Sequence, residues 1–67
     1  MRQFKKVRPG HYETDDFVIL RYSEAPAFWG LLRKTPFGLR FIEGFELLTL
    51  AKRHAAKIYM AICEMEA

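Results

Sequence analysis

The chain has 67 residues, a formal net charge of +3 and a hydrophobic fraction of 51%. This size and composition indicate one small folded domain over residues 1–67 and exclude an intrinsically disordered chain. The single cysteine, Cys63, excludes an internal disulfide and favours a reducing compartment, so we expect a cytoplasmic protein. No apolar run approaches the roughly 18 residues of a membrane span, so we expect no membrane partner.

The N-terminal residues are basic and lead into a turn. Four cations stand before Pro9-Gly10, a dipeptide typical of turns: Arg2, Lys5, Lys6 and Arg8. Residues 1–10 therefore form either a basic arm or a short edge strand. A basic segment of this kind favours polyanionic partners, although solubility alone also explains the charge.

Three strand-like segments follow, at residues 17–22, 28–34 and 39–43. They are rich in β-branched and aromatic residues and are separated by turn residues such as Pro26, Pro36 and Gly38. Connections this short require antiparallel pairing, because a parallel crossover needs about a dozen residues or more. The sequence predicts a three-stranded antiparallel sheet, or a four-stranded one if the N-terminal residues join it.

The C-terminal residues 46–65 contain no Gly or Pro and carry apolar residues at helical spacing. An isolated helix of this length is marginal in water, so its apolar face must pack on the sheet. We predict an α+β domain in which this single C-terminal helix covers one face of the antiparallel sheet.

Strand alternation sorts the sheet side chains into two groups. The first group is almost wholly apolar and consists of Val18, Leu20, Tyr22, Phe28, Gly30, Leu32, Leu39, Phe41 and Phe45. We assign this group to the core, with Gly30 admitting the helix closely where Ala51 and Ala55 leave its surface low.

The second group mixes arginines with apolar residues and consists of Phe17, Ile19, Arg21, Trp29, Leu31, Arg33, Arg40 and Ile42. Trp and Arg are enriched at interface hot spots. We therefore predict a partner-binding sheet face formed by Arg21, Trp29, Arg33 and Arg40. Two alternatives stay open: the N-terminal segment folds over this face, or a β-bulge turns Trp29 into the core.

Catalytic and metal-binding chemistry is not indicated. His11, His54 and Cys63 are too few for a metal site, and the sequence has no glycine-rich phosphate loop. We predict a protein that is not an enzyme and that needs no cofactor or metal.

Several short motifs occur in a familiar order along the chain. They are Pro9-Gly10-His11-Tyr12, Phe17-Val18-Ile19-Leu20-Arg21, Trp29, Gly44-Phe45-Glu46-Leu47-Leu48, Ala51-Lys52-Arg53 and Ala55. This order resembles small β-β-β-α accessory proteins of bacteriophages and mobile elements, in which a Gly-Phe-x-Thr-Leu-x-x-Ala-Lys step leads into the helix. The chain departs at Leu47, which stands where the capping Thr would be, with Thr49 two residues later.

The resemblance implies binding to a host factor in the host cytoplasm. The same layout is also similar to the arm-type DNA-binding domains of tyrosine integrases. We therefore predict a non-catalytic binding module for a protein partner. The alternative is a nucleic-acid-binding module that uses the basic sheet face and the N-terminal arm, with contacts from Arg2, Lys5, Lys6, Arg8 and Lys34. A homodimer through the sheet or the outer face of the helix also stays open.

Overall fold

The computed structural model describes residues 3–66. Arg2, a predicted nucleic-acid contact, lies outside the described residues. Within residues 3–66 the chain forms β1 (Lys5–Arg8), β2 (His11–Glu13), β3 (Phe17–Glu24), β4 (Ala27–Thr35), β5 (Gly38–Phe45) and α1 (Leu48–Glu66).

The strands follow one another in the order β1-β2-β3-β4-β5, each antiparallel to its neighbours, and α1 packs against β3, β4 and β5. This confirms the α+β class, the antiparallel sheet and the covering C-terminal helix. The predicted strand number of three or four is wrong, because the described sheet has five strands. β1 and β2 are short, and every residue of β1 is exposed, so they carry no apolar alternation that a sequence pattern would reveal.

Two hydroxyl side chains fix the turns that position β3 and β5. The Thr14 hydroxyl accepts a hydrogen bond from the Phe17 amide at 3.0 Å and so sets the start of β3. The Thr35 hydroxyl donates to the Gly38 carbonyl at 2.7 Å and accepts from the Phe37 amide at 3.2 Å. Gly38 has a φ of 119°, which is strained for other residues, and Phe37 at the hairpin tip is fully exposed.

The helix begins two residues later than the sequence predicts, at Leu48. The Leu47 carbonyl accepts the amides of Leu50 and Ala51 at 3.2 and 3.3 Å, so Leu47 occupies the capping position. A leucine side chain has no oxygen to satisfy the first helical amides. Within residues 3–66, no helix combines the length and the apolar character that crossing a bilayer requires.

The core lies between α1 and the middle of the sheet. Its fully buried members are Phe17, Ile19, Leu31, Ala51 and Ala55. The two alanines keep the inner helix surface low, so that α1 approaches the sheet closely. The half-buried residues packed around this core are Phe4, Tyr12, Trp29, Ile42, Phe45, Leu48, Ile58 and Tyr59.

The helix covers the sheet face opposite to the one that we predicted. Cross-strand pairing confirms how alternation sorted β3 and β4, but the covered group is the one with Ile19, Trp29 and Leu31. The prediction that Gly30 admits the helix is also wrong, because the Tyr22 ring fills the space beside it. A bulge in the pairing of β4 with β5 moves Phe45 to the covered face, where it stands opposite Trp29.

Candidate binding surface on the open sheet face

The open face is the sheet face turned away from α1. Cross-strand pairs assign to it Lys5, Arg8, His11, Glu13, Val18, Leu20, Phe28, Gly30, Leu32, Lys34, Leu39, Phe41 and Gly44. Tyr22, at the bulge of β3, joins them because its ring lies over Gly30. Within residues 3–66 the one element outside the sheet is α1, and it packs on the other side.

Three aromatic rings form the centre of the open face. Tyr22 lies 6.0 Å from Phe28 and 6.4 Å from Phe41 between ring centroids, and we call these residues the aromatic cluster. Their exposed fractions are 53%, 40% and 51%. At about 200 Å² per ring, roughly 300 Å² of aromatic surface faces solvent, which matches the largest apolar patch on a typical monomer.

Two glycines leave the space in which rings of the aromatic cluster pack. Gly30 and Gly44 stand directly opposite each other on β4 and β5. A Cβ on Gly30 would collide with the Tyr22 ring, and a Cβ on Gly44 would collide with the Phe28 ring. Glycine in a strand interior leaves backbone uncovered, and an aromatic ring laid across it restores the packing. The rings are therefore held in place before any partner arrives.

Aliphatic side chains extend the patch along β3, β4 and β5. Val18 and Leu32 oppose each other and are 4% and 8% exposed, although no described element covers this face. Leu39 on β5 is 54% exposed. The open face thus combines buried aliphatic side chains with exposed aromatic and aliphatic side chains.

A charged network borders the patch on β2 and β4. Glu13 accepts a hydrogen bond from Lys34 Nζ at 2.9 Å and from His11 Nε2 at 2.9 Å. The Lys34 hydrogen bond, opposed by desolvation and aided by the charges of Lys34 and His11, holds the pKa of the Glu13 carboxyl below its usual range. Lys34 is therefore neutralised locally by Glu13.

The four residues predicted to bind a partner lie on the covered face and form two separate groups. Arg21 stacks on Trp29 at 5.5 Å from its ring centroid and pairs with Glu24 at 2.9 Å. Trp29 also lies 6.0 Å from Tyr12 and packs against the core, so the idea that it stands on an open face is wrong. Arg33 and Arg40 oppose each other at the far end of the sheet. The two ends are four residues apart along β3, or about 13 Å.

The predicted nucleic-acid contacts within the described residues divide between β1 and β4. Lys5, Lys6 and Arg8 occupy the exposed edge strand β1, and in the described part of the chain none of their side chains makes a hydrogen bond or an ion pair. Lys34 lies on β4, where it is paired with Glu13 and lines the same cavity as Lys5. Of these predicted contacts, the ones without an ion pair therefore lie together on β1.

The aromatic cluster was assigned to the core by sequence reasoning. A signal for its true place exists in the two glycines within strand segments, since each needs a ring from a neighbouring strand to cover it. Among residues 3–66, no three His, Cys, Asp or Glu side chains are grouped closely enough to hold a metal ion.

Comparison of the chain with protein-family models, with curated proteins and with solved structures gives no match. The architecture and the exposed surfaces are therefore the basis for assigning a function.

Proposed function

We propose that this chain is a small non-catalytic binding module that recognises a protein partner through its open face. The observation that carries the proposal is the aromatic cluster of Tyr22, Phe28 and Phe41, which stays about half exposed on a face that no described element covers. Aromatic side chains at the centre of an interface supply much of its binding energy.

The packing of the rings on the two glycines makes this surface suited to binding. Tyr22 and Phe28 are packed against Gly30 and Gly44, so little side-chain entropy is lost when a partner covers their outer surfaces. A standard interface buries about 800 Å² on each partner, more than the cluster alone provides. Leu39 and the network of Glu13 with Lys34 are placed to complete it as apolar and polar surroundings.

The charges around the aromatic cluster favour protein over nucleic acid. A surface that stacks bases also needs free cations to contact phosphates. Near the cluster, Lys34 is paired with Glu13 at 2.9 Å, and both arginines of the β4–β5 hairpin belong to the other face. Among the described residues, the cations of the open face without an ion pair, Lys5 and Arg8, lie on the edge strand β1, two strands from β3. The partner that we propose is a protein of the cell in which the chain acts, which is also what the resemblance to bacteriophage accessory proteins implies.

Affinity capture with a matched pair of variants tests the proposal. Phe41→Ser removes one ring of the aromatic cluster, whereas Phe37→Ser removes a fully exposed ring at the hairpin tip. Wild type and Phe37→Ser should retain the same partner from a lysate treated with nuclease, and Phe41→Ser should lose it by about tenfold or more while its circular dichroism spectrum stays native. Equal retention by Phe41→Ser and Phe37→Ser would reject the open face as the interface.

Nucleic-acid binding is the second candidate, and the edge strand β1 favours it. Lys5, Lys6 and Arg8 are exposed and lack ion-pair partners in the described part of the chain. Binding of an oligonucleotide should weaken steeply as salt rises, and the triple change Lys5→Gln, Lys6→Gln and Arg8→Gln should reduce the salt slope by about three. Absence of binding at low salt, or a slope that the triple variant leaves unchanged, excludes this candidate.

A further inference from the structure

A groove on the covered face lies where β4 and β5 approach their hairpin, beside the C-terminal half of α1. It has a volume of about 370 Å³ and is lined by Arg33, Thr35, Arg40, Ile42 and Ile58. It belongs to the covered face because Arg33 stands directly opposite the core residue Phe17. The groove is therefore distinct from the open face and its aromatic cluster.

The two arginines of the groove form a like-charged pair across the strands. Arg33 and Arg40 are directly opposed in register, and both are exposed. In the described part of the chain, neither side chain makes an ion pair or a hydrogen bond. Like charges placed directly opposite each other destabilise a sheet. The pair of arginines is therefore not explained by a contribution to the stability of the fold.

Among the side chains that line the groove, the guanidinium groups of Arg33 and Arg40 are the hydrogen-bond donors that are not already used. The Thr35 hydroxyl already donates to the Gly38 carbonyl at 2.7 Å. Ile42 and Ile58 both pack against the core and give the groove an apolar side. Among the residues that the structure describes, no acidic side chain lines the groove, so an anion placed there would meet no opposing charge from these walls.

We propose that this groove binds a phosphate group between Arg33 and Arg40, carried by a small ligand whose adjoining part is apolar and rests on Ile42 and Ile58. Side chains directly opposite each other on a sheet have Cβ atoms about 5 Å apart, so both guanidinium groups can reach one anion. Guanidinium binds phosphate through two parallel hydrogen bonds, and the anion would also relieve the repulsion between the arginines. The volume is in the range of small-molecule sites.

A nuclear magnetic resonance titration at constant ionic strength tests the site. The probes are inorganic phosphate and phenyl phosphate, and the observed signals are the Nε–H groups and backbone amides of Arg33 and Arg40. We expect saturable shifts at these residues with both probes and tighter binding of phenyl phosphate, because its ring contacts the isoleucines. No saturable shift with either probe would overturn the proposal.

Two variants with the same charge change separate a built site from general charge attraction. Arg40→Gln should weaken phenyl phosphate binding by about tenfold or more, as expected for the loss of a charge-assisted hydrogen bond. Lys34→Gln changes a residue on the open face and should alter binding less than about twofold. Equal weakening by both variants would show that binding follows net charge and would overturn the site.

Thermal unfolding and an oligonucleotide complete the test. Arg40→Gln should melt at the same temperature as wild type or higher, because it removes a like-charge contact; a clear decrease would assign Arg40 a structural role and overturn the proposal. Binding of a single-stranded oligonucleotide without binding of phenyl phosphate would overturn the groove site and support the edge strand β1 as the anion contact.

Discussion

The ring of Tyr22 occupies the space in which a Cβ of Gly30 would lie. This contact packs the aromatic cluster against the open face, and the ring fills the space beside Gly30 that a helix would otherwise approach. The helix packs instead on the other face, where Ala51 and Ala55 lie against Ile19 and Leu31. The position of the Tyr22 ring therefore bears on two features: which sheet face the helix covers, and which side chains the open face exposes.

Gly30→Ala tests this contact directly. The added methyl group must displace the Tyr22 ring, and Phe41 Cε2, at 3.1 Å from the ideal Cβ position, limits where the ring can go. We expect a loss of about 1–3 kcal/mol in the free energy of unfolding, measured in urea. In a Tyr22→Ala background the same change should cost clearly less. An equal cost in both backgrounds would contradict the proposed contact.

Trp29→Ala should destabilise the fold instead of removing an exposed binding residue. Trp29 is half-buried, packs against the core and contacts Tyr12 and Arg21. Truncation should lower the free energy of unfolding by about 2–4 kcal/mol, seen as a large decrease in melting temperature. Phe37→Ala, at a fully exposed position, serves as the control and should stay within about 0.5 kcal/mol of wild type. A Trp29→Ala protein with wild-type stability would show that Trp29 does not support the core.

Ala55→Leu should overpack the contact between α1 and the sheet. Ala55 is fully buried in the core cluster that α1 forms with β3 and β4, whereas Ala61 on the same helix is exposed. We expect Ala55→Leu to reduce the free energy of unfolding by about 1–3 kcal/mol and Ala61→Leu to change it by less than about 0.5 kcal/mol. Similar stability of the two variants in urea would argue against the assigned inner face of the helix.

The network of Glu13 makes stability depend on acid pH. Its pKa lies below the ordinary value of 4.5, mainly because Lys34 donates a hydrogen bond to the carboxylate. A carboxyl whose pKa is lowered on folding stabilises the folded state above its unfolded pKa, and this contribution is lost as pH falls through the folded pKa. Glu13→Gln should therefore be less stable than wild type near pH 6, with the difference closing as pH falls below about 4.5. A difference that stays constant from pH 6 to pH 3 in thermal unfolding would contradict this assignment.

The sequence predicts the α+β layout because the strand period of two and the helix period of 3.6 are strong signals. Alternation also sorted Ile19 and Leu31 away from Leu20 and Leu32 correctly. It could not decide which face is covered, since both faces have an apolar centre. Arginine on a face did not exclude burial, because Arg21 and Arg33 stand at the two ends of the covered face with the apolar core between them.

The candidate site was harder to predict than the fold. Phe28 and Phe41 resemble core residues by composition, and their exposure depends on where the helix packs. The edge strand β1 is held by backbone pairing with β2, which side-chain patterns do not reveal. The position of Phe45 opposite Trp29 depends on the bulge near Ile42, which shifts the register of β4 with β5 by one residue and which the sequence pattern does not reveal.

The central claim is that a protein partner binds the open face at the aromatic cluster. Site-specific photo-crosslinking from the captured complex tests it most directly, with a benzophenone side chain placed in turn at position 41, at the exposed hairpin position 37 and at the exposed helix position 53. We expect a crosslink to the partner from position 41 and none from position 53. A crosslink from position 53 without one from position 41 would place the partner on the helix side and contradict the claim.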